Sequence, residues 1–239
     1  MKSQSYNWSS FWAKKAQNNI IKSTGRSDEN IFEIFFYVYS LCKILKLNKN
    51  DIILDAGGGN GMVAFLLSKF VKKIYTFDNS KSLITKSKQL NKCNKNTIAY
   101  VDDIVNLNKT IGYKQMFTKV IVGSVYQYLR NYNDIKKSMG QIYKTCSNKA
   151  ILCSSLNPDE DKKNIHIKSY NDKKLIKKIG KNQIKKSLFL EAERLWITKS
   201  KFINIASSVG WQKSRVFKVD KMFFQSSHMF DISFEKLKK

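Results

Sequence analysis

Apolar positions along the chain change period near residue 51. Upstream, Ile31, Ile34, Phe35, Val38, Leu41 and Leu45 recur at three- and four-residue spacing, the mark of an amphipathic helix. Ser27 is placed to cap that helix, Asp28 and Glu29 oppose its dipole in the first turn, and Asn48-Lys49-Asn50 ends it. Downstream, Ile52-Ile53-Leu54 is a short unbroken apolar run, as expected of a parallel strand buried on both faces.

From there strands and helices alternate. Met62 to Phe70 reads as a helix, and Ile74 to Phe77 as a second strand ending at Asp78. Ser82 to Leu90 is helical, and Thr97 to Val101 is a third strand ending at Asp102-Asp103. Val120-Ile121-Val122 is a fourth strand closed by Gly123-Ser124, Asn133 to Cys146 a helix, and Ala150 to Ser155 a fifth strand. Ser200 to Val209 is a further helix with Gly210 just past its end. Arg215 to Val219 and Phe230 to Phe234 read as a terminal strand pair. This alternation implies an α/β fold: a doubly wound, mostly parallel seven-stranded sheet with a C-terminal antiparallel pair and helices on both faces. One domain accounts for residues 1–239: a helical cap over 1–48, a core over 49–155, an insertion or lid over 156–199, and a C-terminal helix and strand pair over 200–239. Residues 1–26 form an extension bearing Tyr6, Trp8, Phe11 and Trp12.

Composition changes this picture little. The chain is long enough to fold without a disulfide or metal staple. Cys42, Cys93, Cys146 and Cys153 form no Cys-x-x-Cys pair and read as reduced thiols; no metal site is expected. Met1 to Trp12 lacks the apolar core of a signal peptide, and Ile31 to Leu45 carries Glu33 and Lys43 and is too short to cross a bilayer. The expected location is cytoplasmic, with a peripheral position at the inner membrane face as the variant. The net charge of +26 draws attention to nucleic acid, but only Arg26, Arg130, Arg194 and Arg215 of the 44 basic residues are arginines. Arginine is the side chain that forks onto phosphates and guanine edges. Lysine spread along the whole chain fits a compositional bias better than a footprint for nucleic acid, although a general attraction to anions follows either way.

The chemistry lies at the strand ends. Asp55-Ala56-Gly57-Gly58-Gly59-Asn60-Gly61 follows the first strand directly. Glycine lets the backbone turn sharply and lets a ligand approach the main chain, and the helix beyond offers free N–H groups. A dinucleotide fingerprint needs Gly-x-Gly-x-x-Gly, but Met62 stands three residues after Gly59. The segment instead resembles the first motif of class I S-adenosylmethionine-dependent methyltransferases, with Asp55 placed to help hold the cofactor's amino group.

That resemblance extends over about 50–235 and implies the other roles. Asp78, followed by Asn79, stands where the family's acid accepts both ribose hydroxyls, a task suited to two carboxylate oxygens. In Tyr100 to Leu107, Asp103 takes the place of the acid that meets the adenine amine, with Asp102 as the alternative, and Ile104 would pack on the ring. Phe117 to Leu129 resembles the fourth motif, with Ser124 toward the cofactor and Tyr126, Gln127 and Tyr128 toward the substrate. It departs from the pattern at Thr118, where an acid is usual, and at Gln127 and Tyr128, where many small-molecule enzymes carry a His pair. No Asn/Asp-Pro-Pro-Tyr/Phe tetrapeptide follows the fourth strand, which speaks against base amino groups as targets, and Cys153 reads as a buried strand residue.

The general base is not legible. His166, in the insertion, and His228, before the last strand, are candidates beside Tyr128, with the plainer reading that both are surface histidines. Arg26 is a candidate partner for the cofactor carboxylate. Ten lysines fall between Lys162 and Lys186, with Leu175, Ile176 and Ile179 on one side of a short helix. They form either a solvated helix or a cationic lid over an anionic or lipid-linked substrate. The expected activity is methyl transfer from S-adenosyl-L-methionine to an oxygen, less readily a nitrogen, of a small molecule or glycan precursor. An RNA methyltransferase and a catalytically silent binding module of the same fold are the rivals.

Overall fold

Across the sheet, side chains alternate between two apolar layers, and that alternation sets the architecture. The protein, seen in a computed structural model, is described over residues 6–16 and 31–237. Its strands are β1 (Ile52–Ala56), β2 (Lys73–Asp78), β3 (Thr97–Val101), β4 (Phe117–Gly123), β5 (Cys146–Pro158), β6 (Gln212–Lys218) and β7 (Met229–Glu235). They form one sheet in the order β3-β2-β1-β4-β5-β7-β6. The first five run parallel, and β7 is antiparallel to both β5 and β6. Ile53, Ile74, Ile121 and Cys153 point to one face; Leu54, Tyr75, Val120 and Leu152 point to the other. Adjacent registers such as Leu54↔Tyr75 and Leu54↔Val120 hold these rows in line.

Helices cover both faces. α2 (Ile31–Leu45) and α3 (Met62–Leu67) pack on the isoleucine face, and α5 (Tyr132–Thr145) and α9 (Lys199–Ser207) on the other. α4 (Lys81–Leu90) starts at the cap Ser80, whose Oγ accepts the Leu83 N–H. α1 (Trp8–Lys15), α6 (Lys163–Ser169), α7 (Lys173–Ile179) and α8 (Lys181–Glu193) complete the described helices. Strand order reverses between β1 and β4, which opens a crevice above their carboxyl ends.

Several features differ from expectation. β5 begins at Cys146 and runs on to Pro158, because Asn157 and Pro158 pair with Phe230 and Met229 of β7, a contact local periodicity does not register. The face that α2 buries includes Tyr37, whereas Phe35 is exposed. The expected insertion or lid over 156–199 carries, beyond the end of β5, the helices α6, α7 and α8. The Leu175 and Ile176 helix is α7, whereas α8 buries only a narrow, partly polar stripe and so shows no apolar period. Ser27, Asp28, Glu29 and Arg26 lie outside the described residues. Among those described, no helix is long and apolar enough to cross a membrane, and no group of three or more His, Cys, Asp or Glu is placed to hold a metal ion.

Candidate active site

The turn after β1 is latched to its neighbour strand. The N–H groups of Gly57 and Gly58 both donate to the Phe77 carbonyl, at 2.8 and 2.9 Å. Gly59 has φ +58°, and a Cβ built there would have nothing within 4 Å, so the main chain faces open space. Gly58 is different: a Cβ there would lie 2.1 Å from Thr76 Oγ1 and 2.2 Å from Asp55 Oδ2.

Beneath Gly58, the Asp55 carboxylate accepts a hydrogen bond from Thr76 Oγ1 at 2.9 Å. Burial raises the Asp55 pKa to about 7, with the Thr76 bond opposing and Asp78 adding to the rise. At the tip of β2, Asp78 accepts the Gly59 N–H at 3.1 Å through Oδ2 and the Ser80 N–H at 2.9 Å through Oδ1. Burial raises its pKa as well, and those main-chain donors hold the rise down.

A cavity of about 490 Å³ lies above this turn, within the range of small-molecule sites. Asp55, Gly57, Gly58, Gly59, Asp78, Asn79, Asp102, Ile104, Ser124, Gln127, Tyr128 and His228 all line it. Ser124 holds a strained φ of +59° at the β4 tip while its N–H donates to the Ser155 carbonyl. The resemblance thus gathers residues from four strand ends around one hollow.

Five expected site residues stand elsewhere. Ala56 is buried within the strand. Gly61 faces α4, where a Cβ would meet Ser87 Oγ at 2.1 Å, so its lack of a side chain serves helix packing. Asp103 turns from the cavity and accepts the N–H groups of Val105 and Asn106 with Oδ1. Tyr126 points into the core, its ring edge-on to Phe202 at 5.6 Å. His166 is buried behind the cavity wall, neither exposed nor lining it.

Asp102 lines the cavity, yet its carboxylate already takes five bonds, from the N–H groups of Asp103, Asn108, Lys109 and Thr110 and from Thr110 Oγ1. Burial alone would raise its pKa; those donors outweigh it and lower the value. With its lone pairs committed, Asp102 braces the loop after β3, and Ile104 is left to face the ligand.

The opposite wall comes from sequence-distant pieces that the sequence reading left unassigned. Trp8 and Trp12 of α1 pack on the Tyr128 ring at 4.6 and 5.4 Å. Ser187, Leu190 and Glu191 of α8, with Arg194 just beyond, line the cavity at i, i+3, i+4 and i+7 spacing. That spacing was readable, but only once residues 181–194 were known to be helical. Glu191 Oε1 accepts Arg194 Nη1 at 2.8 Å and lies 3.6 Å from His166 Nε2.

The two histidines, rather than being solvated, stack on one another with ring centroids 3.6 Å apart. Burial, aided by His166, lowers the His228 pKa to about 3, so its ring is neutral near pH 7 and a weak proton acceptor. Burial raises the Tyr128 pKa, so its hydroxyl also stays protonated. Neither group is poised as a base.

No protein-family model matches the chain, and no curated protein sequence does. Solved structures do. The N-methyltransferase NodS from Bradyrhizobium japonicum, in complex with S-adenosyl-L-homocysteine, superposes with a TM-score of 0.68 at 13% identity, over 98% of this chain and 100% of that one. A methyltransferase bound to the Trm112 activator of Haloferax volcanii gives 0.67 at 9% identity, over 95% and 98% of the two chains. An O-methyltransferase from Nostoc punctiforme gives 0.64 at 10% identity, over 94% and 60%. The fold is that of class I S-adenosylmethionine-dependent methyltransferases. Proteins sharing it include both N- and O-methyltransferases, so fold alone leaves the acceptor atom open.

Proposed function

We propose that the protein is an enzyme that transfers a methyl group from S-adenosyl-L-methionine to an oxygen or nitrogen of a polar small molecule or glycan precursor. The observation that carries this reading is the open main-chain face at Gly59 beneath a cavity of about 490 Å³, with Asp78 at the adjoining strand tip. A side chain at residue 59 would project into the open space beside the turn that the ligand needs, and there is none. The Gly57–Gly59 turn would hold the methionine portion, Asp78 the ribose hydroxyls, and Ile104 the base. Asp55, with its pKa near neutrality, lies under the turn and suits a neighbouring ammonium group.

When bound, S-adenosylmethionine would supply a methyl on a sulfonium whose sulfur leaves as a neutral thioether, and the acceptor would lose its proton to water. What the chain itself must do is hold the acceptor lone pair in line and keep water out. Orientation of this kind is worth about 7 kcal/mol in well-ordered cases. Tyr128, Gln127, Trp8 and Trp12 line the cavity and would orient the acceptor, and the lysines of 162–186 support an acceptor on an anionic or lipid-linked carrier.

Calorimetry with S-adenosylhomocysteine tests the reading. Wild type is expected to bind, and Asp78→Asn to bind about tenfold or more weakly, because a charged hydrogen bond to a ribose hydroxyl is lost. Absence of binding by wild type, or full affinity in the variant, defeats it.

A further inference from the structure

We infer that Glu191 and Gln127 form an ammonium-binding subsite and that the acceptor of this enzyme is an amine. This rests on the methyl-transfer reading and narrows its acceptor from oxygen or nitrogen to nitrogen.

Glu191 is 4% exposed and lines the cavity; the Tyr170 hydroxyl lies close enough to feel its charge, yet Oε2 meets no donor in hydrogen-bonding geometry among the described residues. Its other oxygen is occupied by Arg194 Nη1, with His166 behind it. Burial alone would protonate the carboxyl; His166 and Arg194 outweigh that and hold its pKa below the usual value, so the free oxygen belongs to an anion.

Gln127, 2% exposed, stands in the same condition. Its Nε2 donates to the Ser124 carbonyl and hydroxyl, which fixes the amide and leaves Oε1 without a partner. The Leu195 N–H donates to the Gln127 carbonyl at 2.9 Å, so the end of α8 and the β4 tip are joined, and both residues line one hollow.

Buried acceptors without donors are rare in folded proteins, and at a ligand site they mark the groups the ligand must supply. An ammonium binds with three N–H donors and a charge that complements the carboxylate; one of its protons would pass to water to free the lone pair that takes the methyl, and the two N–H groups that remain are enough for both oxygens. An alcohol has one and leaves an oxygen bare. The aromatic wall favours the same ligand: Trp8, Trp12 and Tyr128 line the cavity, and such faces attract a cation. The neighbouring His228, neutral near pH 7, does not compete as a cation. Arg194 Nε is also without a partner, which suits a hydrogen-bond acceptor beside the amine on the same molecule.

The test titrates benzylamine and its isostere benzyl alcohol by tryptophan fluorescence, with and without saturating S-adenosylhomocysteine. Benzylamine is expected to bind about tenfold or more tightly than the alcohol, the difference expected for a hydrogen bond to a charged group. Glu191→Gln should reduce that preference below about threefold while S-adenosylhomocysteine affinity stays within about twofold, since charge but not shape is removed. Gln127→Leu is the second variant and should weaken benzylamine by about threefold or more, the loss of one neutral acceptor. Equal affinity for amine and alcohol, a preference that survives both substitutions, or no amine binding in either titration overturns the subsite. Failure of S-adenosylhomocysteine to bind while amine preference persists overturns the methyl-transfer reading instead.

Discussion

The two walls of the cavity are built on different principles. On the β1–β3 side the polar groups satisfy one another: Asp102 takes five donors, Asp78 two main-chain N–H groups, and Asp55 the Thr76 hydroxyl. On the side made by α8 and the β4 tip, Glu191 Oε2, Gln127 Oε1, Arg194 Nε and His166 Nε2 are buried without a hydrogen-bond partner among the described residues. The first wall is braced before any ligand arrives, as a site for a fixed and common cofactor can be. The second holds polar capacity in reserve, as a site must when the missing half of its hydrogen bonding comes from the substrate.

The strongest way to break this contrast is at Asp102. Asp102→Ala removes five bonds and leaves four N–H groups without their acceptor, those of the buried Thr110 and half-buried Asp103 among them. Chemical denaturation should register a loss of about 4 kcal/mol, against about 1 kcal/mol for Asp103→Ala, whose carboxylate caps only two. Equal losses would mean that the loop after β3 is not braced as described.

Next in size is Gly58→Ala. A methyl there collides with the Asp55–Thr76 pair, so stability should fall by about 3 kcal/mol. Ser187→Ala on the opposite wall should stay within about 0.5 kcal/mol of wild type by the same measurement. A tolerated alanine at 58 would show that the turn can move.

The smallest effect concerns protons. The folded pKa of Asp55, about 7, lies above its unfolded value near 3.8. The native state therefore binds the extra proton, and its contribution to stability is complete below pH 3.8 and drains away as pH rises through 7. Compared with Asp55→Asn, wild type should lose about 1 kcal/mol between pH 6 and pH 7 and little beyond pH 8, followed by thermal melts across that range. A pH-independent difference would place Asp55 in a wetter setting.

How much of this was legible in the sequence divides along the same line. The strand runs, the glycine turn and Asp78 were readable because each is encoded within a few consecutive residues, by burial on two faces, by φ sign or by position at a strand end. Asp103 was expected at the adenine with Asp102 as the alternative; only Asp102 lines the cavity, and its carboxylate is spent on the loop after β3, a set of bonds reaching further along the chain that no local pattern records. Tyr126 was misjudged because a short 3-10 turn at Tyr126–Tyr128 directs neighbours to different sides. Glu191 could not be read at all: α8 has no clear apolar period, and nothing local separates a buried glutamate from the many solvated charges beside it.

The sequence by itself determined the alternation of strands and helices through the core, the glycine turn and the acid at its side, because these follow from local sterics and periodicity. Tertiary structure alone decided which polar atoms were left wanting a partner. That is a property of packing between α1, α8 and the β4 tip, segments more than a hundred residues apart at their extremes, where burial removes water and the fold supplies no substitute.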